Sequence, residues 1–159
     1  MNWFEDFESW RFIFRGYLPR LTIINLIWEI AQLPLYTLWE NPHREQIAVA
    51  VAHCTAGDAL IGVLALISAL ILVRAPRRLD WPGTRIVAVV IVLTMAYTVY
   101  SEQINLALGD WDYAATMPIV PWLEVGLAPL LQWLLVPLAT WWWTNQSMPS
   151  SKAIDSRRN

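Results

Sequence analysis

The chain has few charged residues and a single cysteine. Only 15% of its 159 residues are charged and 57% are hydrophobic, whereas a soluble domain is about half apolar and about a quarter charged. Cys54 is the only cysteine, which excludes an intrachain disulfide and a cysteine-based metal motif. The HExxH motif and serine-nucleophile motifs are also missing. The composition therefore favours an integral membrane protein, and the sequence identifies no metal site and no cofactor.

Hydrophobic residues are concentrated in four long segments. Each segment reaches the ~20 residues that a helix needs to cross a hydrocarbon core of about 30 Å. Lipid offers the backbone no hydrogen-bond partner, so segments of this kind should be helical. We therefore predict an all-α integral membrane protein, a bundle of four transmembrane helices in one membrane domain that covers residues 1–145. The predicted spans are residues 21–39, 47–73, 85–108 and 119–143.

The segment before the first span is aromatic and amphipathic. Four of its aromatic residues recur at spacings of four, three and four, which places them on one helical face: Trp3, Phe7, Trp10 and Phe14. The pattern predicts a short amphipathic helix over residues 1–16 that lies in the membrane interface. Packing of this segment against the bundle is the alternative. Gly16 and Pro19 are predicted to break the chain before the first span begins.

Basic residues are distributed unevenly among the connections. The N-terminal segment, the second connection and the C-terminal tail hold ten of the eleven lysines and arginines, whereas the first connection holds only Arg44 and the third holds none. By the positive-inside rule, both termini and the second connection lie in the cytoplasm. This pattern and the short loops are typical of a multi-pass protein of a bacterial inner membrane. Residues 146–159 show no apolar periodicity and are predicted to form a disordered cytoplasmic tail.

Ionisable side chains occur inside the predicted spans, although a charged group at the centre of the bilayer costs about 2.5–3.5 kcal/mol. They are Glu29 in the first span, His53 and Asp58 in the second, Glu102 in the third and Glu124 early in the fourth. With a rise of about 1.5 Å per residue, all of them fall between the membrane midplane and the periplasmic surface. We therefore predict one polar pocket that opens outward.

Acid–base chemistry is the reaction type that these residues suit. A sheltered carboxylic acid can exchange protons with a neighbouring carboxylate or imidazole, and the candidate catalytic residues are Glu29, His53, Asp58 and Glu102. Uncharged and aromatic residues are candidates for ligand binding: Gln32, Tyr36, Asn105, Trp111 and Gln132. His53 and Asp58 are five residues apart, about 140° around a straight helix. At least one of these two side chains must therefore face a different neighbour.

The third connection, residues 109–118, is acidic and aromatic. On the predicted topology it lies over the mouth of the pocket and could act as a lid. The alternative is an interfacial turn in which Trp111 and Tyr113 serve as membrane anchors.

Two functional hypotheses follow from the pocket. In the first, the pocket binds a lipid-soluble small molecule and, in its stronger form, transforms it. In the second, the protein is a non-enzymatic membrane subunit, or an assembly or transport accessory, whose polar residues contact other helices or a partner. The expected partners are membrane lipids, the small molecule, and a second copy of the chain or another membrane protein. No nucleic-acid partner is expected.

Overall fold

The computed structural model describes residues 2–40 and 43–148. These residues are mostly helical: a short helix, α1 (Phe7–Arg11), precedes four longer ones, α2 (Leu18–Gln32), α3 (Arg44–Leu72), α4 (Gly83–Leu108) and α5 (Leu127–Ser147). Helix α2 packs against α3 and α5, and α4 packs against the same two helices, so the four form a closed ring. The prediction of a helical chain with four main helices is confirmed.

Two of the described helices are long and apolar enough to cross a membrane. These are α3, with 29 residues, and α4, with 26 residues. Their bounds differ from the predicted second and third spans by only a few residues at each end. Helices α2 and α5 are shorter, with 15 and 21 residues. The structure therefore supports a membrane protein through two helices rather than through four.

The N-terminal segment does not form a separate helix. A 3-10 turn (Trp3–Glu5) leads into α1, and a π-helical stretch (Phe12–Tyr17) joins α1 directly to α2. The predicted break at Gly16 and Pro19 is therefore wrong. Gly16 is a point of close approach to α5, since an added Cβ would meet a threonine methyl group there at 2.7 Å. Pro19 stands in the first turn of α2, where a helix tolerates proline.

The predicted aromatic face of this segment is divided between the protein interior and the surface. Trp3 is buried, whereas Phe7 is 72% exposed and Phe14 is 51% exposed. The side chains that pack into the bundle are instead Phe12 and Tyr17, together with Ile13. Packing against the bundle, the alternative for this segment, is what the structure contains. The π-helical turn shifts the helical phase, so a regular period of 3.6 residues could not identify the buried face.

The predicted fourth span begins too early. Residues 119–126 form a small hairpin in which β1 (Ile119–Val120) pairs antiparallel with β2 (Val125–Gly126), and helix α5 starts only after it. Pro121 lacks the N–H that a helix would use, and Glu124 has a φ of 54° in the left-handed region. The placement of Glu124 inside the fourth helix is therefore wrong, because this residue is exposed in the hairpin turn.

The first and last helices also end differently from their predicted limits. Helix α2 stops at Gln32, and a 3-10 turn (Leu33–Leu35) follows because Pro34 cannot donate a hydrogen bond within an α-helix. Helix α5 continues through Ser147 and so includes the first residues of the predicted tail. The rest of that tail, residues 149–159, lies outside the described residues.

The end of the bundle that holds the N-terminal segment is close-packed. Its largest fully buried apolar side chains are Phe12, Ile13, Tyr17, Leu21, Leu66, Leu70, Ile86, Val90 and Val136. Gly62 lets α3 approach α2, because an added Cβ would meet Leu21 Cδ2 at 2.5 Å. This end provides the rigid base of the bundle.

Arg78 joins three segments at the same end. Its backbone N–H donates to Asp6 Oδ2 at 2.9 Å, and its guanidinium donates to Asn145 Oδ1 at the end of α5. The guanidinium also lies over the ring of Phe12, 4.1 Å from the ring centroid. Burial lowers the pKa of Arg78 to about 10, so the side chain is charged at neutral pH. It fastens the connection between α3 and α4 to both the N-terminal segment and α5.

A polar cavity as candidate functional site

The opposite end of the bundle surrounds a cavity of about 1170 Å³. Its walls come from α2, α3, α4 and α5, and from the connections that follow α2 and α4. Small-molecule pockets occupy about 300–1,000 Å³, so the space is sufficient for a ligand. All nine residues predicted for the pocket line this cavity: Glu29, Gln32, Tyr36, His53, Asp58, Glu102, Asn105, Trp111 and Gln132.

Gln132 of α5 is the centre of a buried hydrogen-bond network. Its Nε2 donates to Asp58 Oδ2 at 2.7 Å, to Asn25 Oδ1 at 3.0 Å and to Glu29 Oε1 at 3.3 Å. Its Oε1 accepts from Gln32 Nε2 at 3.4 Å. Gln132 is only 2% exposed. One amide thus connects α5 to both α2 and α3, and it fixes the relative position of two carboxyl groups.

The residues on α2 reach this network through helical spacing. Gln32 Nε2 donates to Glu29 Oε1 at 2.8 Å, three residues earlier, and Trp28 Nε1 donates to Gln32 Oε1 at 3.0 Å. Residues three and four positions apart are neighbours on a helix surface. Glu29 and Gln32 therefore hydrogen-bond to each other as well as to Gln132 of α5.

Glu29 and Asp58 form a carboxyl pair at the cavity wall. Gln132 Nε2 donates to both, at 2.7 Å to Asp58 Oδ2 and at 3.3 Å to Glu29 Oε1, so one amide holds the two carboxyl groups at the same point of the wall. Neighbouring carboxyl groups that share one proton titrate as a unit, and such a pair can both give and take that proton. This pair is the chemically most distinctive feature of the cavity.

A third carboxyl group, that of Glu102 on α4, is held by a residue of the third connection. Tyr113 Oη donates to Glu102 Oε2 and accepts a hydrogen bond from the backbone N–H of Gly126 at 2.9 Å. Burial raises the pKa of Tyr113 above its ordinary value, and the hydrogen bond to Glu102 raises it further. The phenol is therefore neutral at physiological pH and remains a donor to the carboxylate.

The connections after α2 and α4 are hydrogen-bonded to each other. The backbone N–H of Thr37 donates to the carbonyl of Asp112 at 3.0 Å, and that of Ala114 donates to the carbonyl of Leu35 at 2.9 Å. The rings of Tyr36 and Tyr113 are in contact, with centroids 5.5 Å apart. Both segments contribute lining residues. The segment predicted as a lid or an interfacial turn is thus hydrogen-bonded to the connection after α2, and the two segments together form part of the cavity wall.

His53 lies at the rim of the cavity and away from the carboxyl pair. It is exposed on α3, and within the described residues it makes no hydrogen bond to Glu29, Asp58 or Glu102. Tyr97 of α4 also lines the cavity and is 46% exposed. Both side chains therefore line the cavity and also reach the protein surface. The angular separation of His53 from Asp58 that the helical phase predicts accounts for this arrangement.

Three other lining residues have roles that the sequence did not indicate. Asn105 Nδ2 is engaged within α4, where it donates to the carbonyl of Ser101 at 2.7 Å. Cys54 lines the cavity beside the carboxyl pair. Gly57 also lines it, and a Cβ added there would meet nothing within 4 Å. Tyr113, which holds Glu102, was predicted only as part of the third connection, a lid or an interfacial turn, and no local pattern connects it to a residue on another segment.

The lining does not resemble a metal site. Among the described residues, no group of three or more histidine, cysteine, aspartate or glutamate side chains is arranged to hold a metal ion. Comparison with known proteins gives no further assignment. No family model matches the chain, and no curated protein or solved structure is significantly similar to it. The function must therefore be argued from the cavity itself.

Proposed function

We propose that the chain is a four-span protein of a bacterial inner membrane, with both termini in the cytoplasm. Large hydrophobic side chains are exposed on the outer faces of all four long helices, for example Ile27, Leu60, Val92 and Leu138. Soluble monomers rarely expose apolar surface of this extent. Helix α2 alone measures about 22 Å at 1.5 Å per residue. The helical turns that precede it, Phe7–Tyr17, supply the length that it lacks.

Cysteine labelling tests the proposed orientation. In a Cys54→Ala background, an Asp110→Cys variant should react with a membrane-impermeant maleimide in intact cells. An Arg77→Cys variant should react only after lysis, and both positions are exposed on the protein surface. The Cys54→Ala parent measures the background. Labelling of the Arg77→Cys variant in intact cells would overturn the orientation.

For the cavity we propose that it binds a lipid-soluble small molecule and exchanges a proton with it. The observation that carries this proposal is the Glu29–Asp58 pair, two carboxyl groups held by one amide at the wall of a cavity large enough for a ligand. In the proposed resting state the pair shares one proton. A proton donor of this kind in a sheltered site is suited to general acid–base catalysis. His53 of α3 and Tyr97 of α4 line the cavity and are exposed, so we propose that a ligand enters from the bilayer between these two helices.

Isomerisation by a double-bond shift is the reaction that the pair suits best. The pair gives its shared proton to one carbon of the substrate and then takes a proton from another carbon. One C–H bond forms, another breaks, and the pair returns to its starting state without a further reactant. Gln132 donates to both carboxyl groups, so it stabilises the intermediate in which both are ionised. Glu102 lies on the facing helix, α4, where Tyr113 holds it, and it can stabilise positive charge on the substrate.

Native mass spectrometry of protein released gently from its own membrane tests the proposal. The wild type should retain a small molecule of lipid-like mass, and Glu29→Gln and Asp58→Asn should lose most of it. Glu124→Gln is the matched control, because it changes a carboxylate at the same end of the bundle that does not line the cavity. A wild-type mass without a small molecule would refute the proposal. If a protein partner accounts for all additional mass, the accessory-subunit hypothesis is favoured instead.

A further inference from the structure

The cavity has an unbalanced charge. Six carboxyl groups line it: Glu29, Asp58 and Glu102 within the bundle, and Glu40, Asp110 and Asp112 at the mouth. Within the described part of the chain, no lysine or arginine lines it. Arg44 is the arginine that follows the connection after α2. Its guanidinium carbon lies 5.2 Å from the centroid of the Trp39 ring, and the residue is not part of the lining.

The protein itself supplies little positive charge to balance these groups. Glu102 is bonded to a neutral phenol, and Glu29 and Asp58 are bonded to neutral side-chain amides. A charge that is shielded from water is costly unless an opposite charge is nearby. Among the residues that the structure describes, His43 and His53 are the only basic side chains that line the cavity, and both are exposed at its edge.

Aromatic rings accompany the carboxyl groups around the same space. Tyr36, Tyr97, Trp111 and Trp133 belong to the lining. The face of an aromatic ring attracts a cation, most strongly where water is excluded. Carboxylates and aromatic rings together form the environment in which proteins bind organic ammonium groups, whereas an anion would be repelled by the same surface.

We propose that the molecule bound in the cavity is a hydrophobic amine, which binds as its ammonium ion. This inference rests on the proposed function, and it specifies the substrate class of the same site. The apolar body of the amine lies between α3 and α4, where the cavity opens toward lipid. The ammonium group lies among the carboxylates. An organic cation suits the cavity better than a metal ion, because the described carboxyl groups do not form a metal-binding arrangement.

A matched series of probes tests the charge of the ligand. Pyrenebutylamine, pyrenebutanol and pyrenebutyrate share one ring system and carry a positive, neutral and negative end group at neutral pH. The full chain is placed in phosphatidylcholine nanodiscs, and binding is followed by energy transfer from tryptophan to pyrene. The Gly57→Phe variant measures the signal from probe that is dissolved in the lipid, because its side chain would project into the open space of the cavity and block binding there. Ala56→Phe, at an exposed neighbour outside the lining, is its control.

The amine should bind at least about tenfold more tightly than the alcohol, a difference of about 1.4 kcal/mol at 25 °C, and the acid should bind most weakly. Asp112→Asn and Glu102→Gln should each weaken binding of the amine and leave that of the alcohol unchanged. Asp112 is exposed, so its variant does not put folding at risk. Glu124→Gln, outside the cavity, should bind all three probes like the wild type.

Two results would contradict the inference in different ways. If the alcohol binds as tightly as the amine, or if Asp112→Asn and Glu102→Gln leave the preference intact, the ligand is not selected by positive charge. The proposed function would survive that result. If no probe shows binding that Gly57→Phe removes, the cavity does not bind hydrophobic molecules of this size. The inference and the proposed function would then fail together.

Discussion

Replacing Gln132 with methionine should destabilise the protein by about 2 kcal/mol. Methionine has nearly the same length and volume but no hydrogen-bond donor, so the variant loses all four hydrogen bonds of this side chain. Glu29, Gln32 and Asp58 line the cavity, and water can replace their lost partner. Asn25 is fully buried, so its Oδ1 is left without a donor. One such buried group costs about 1–3 kcal/mol.

The measurement is the free energy of unfolding in mixed micelles. Purified protein in dodecyl maltoside is titrated with sodium dodecyl sulfate, and the transition is followed by tryptophan fluorescence. Gln103→Met is the matched control, because Gln103 is exposed and its only described bond is to the carbonyl of Leu123 at 3.0 Å. The control should differ from the wild type by less than about 0.5 kcal/mol. If Gln132→Met also stays within that limit, the network does not hold the helices together.

Three further predictions concern packing and charge. In the same titration, Gly62→Ala should lower the free energy of unfolding by about 1–3 kcal/mol, because the added methyl group overpacks the helix contact. Gly57→Ala should leave the free energy of unfolding unchanged or raise it by up to about 1 kcal/mol through helix propensity. Arg78→Lys should lower the free energy of unfolding by about 1–2 kcal/mol, because the lysine ammonium group cannot stack on an aromatic ring as the planar guanidinium does. The exposed control Arg77→Lys should leave the free energy of unfolding unchanged. Burial raises the pKa of Asp6, but hydrogen bonds led by the Arg78 backbone N–H outweigh it, so the net pKa is below its ordinary value. Ionised Asp6 therefore stabilises the fold above pH ~4. The difference in the free energy of unfolding between the wild type and Asp6→Asn should disappear as the pH falls through the folded-state pKa. A difference that stays constant with pH would refute the assignment.

Helices α3 and α4 could be predicted closely from the sequence, and the physical reason is clear. Both consist of long apolar runs without an internal proline. Clusters of polar residues lie at their ends, and Pro82 and Gly109 directly flank α4. Nothing in such a run competes with the helix. The two outer segments contain prolines and a change of helical phase. There, the apolar composition indicated the length of the segment but not the point at which the helix begins or ends.

The convergence of the polar residues could be predicted only in part. The spacing of Asn25, Glu29 and Gln32 predicts a polar stripe on α2, and the structure has these side chains in one network. The partner of that stripe, Gln132, is more than 100 residues away in the chain. Its role depends on which face of α5 packs against α2. Tyr113 shows the same limit, because its contact with Glu102 arises from the path of a connection and has no periodic signal.

The presence of open space helps to distinguish the two functional hypotheses. Polar residues that only hold helices together are expected to be close-packed and fully hydrogen-bonded, because an empty space beside them loses packing energy. Arg78 at the other end of the bundle fits that description, because it is bonded to Asp6 and Asn145 and packed on the ring of Phe12. The Glu29–Asp58 pair instead borders a cavity of about 1170 Å³, and Gly57 leaves room for a larger side chain. A bundle that needed only stability would gain by filling this space, so its retention favours a ligand as the occupant.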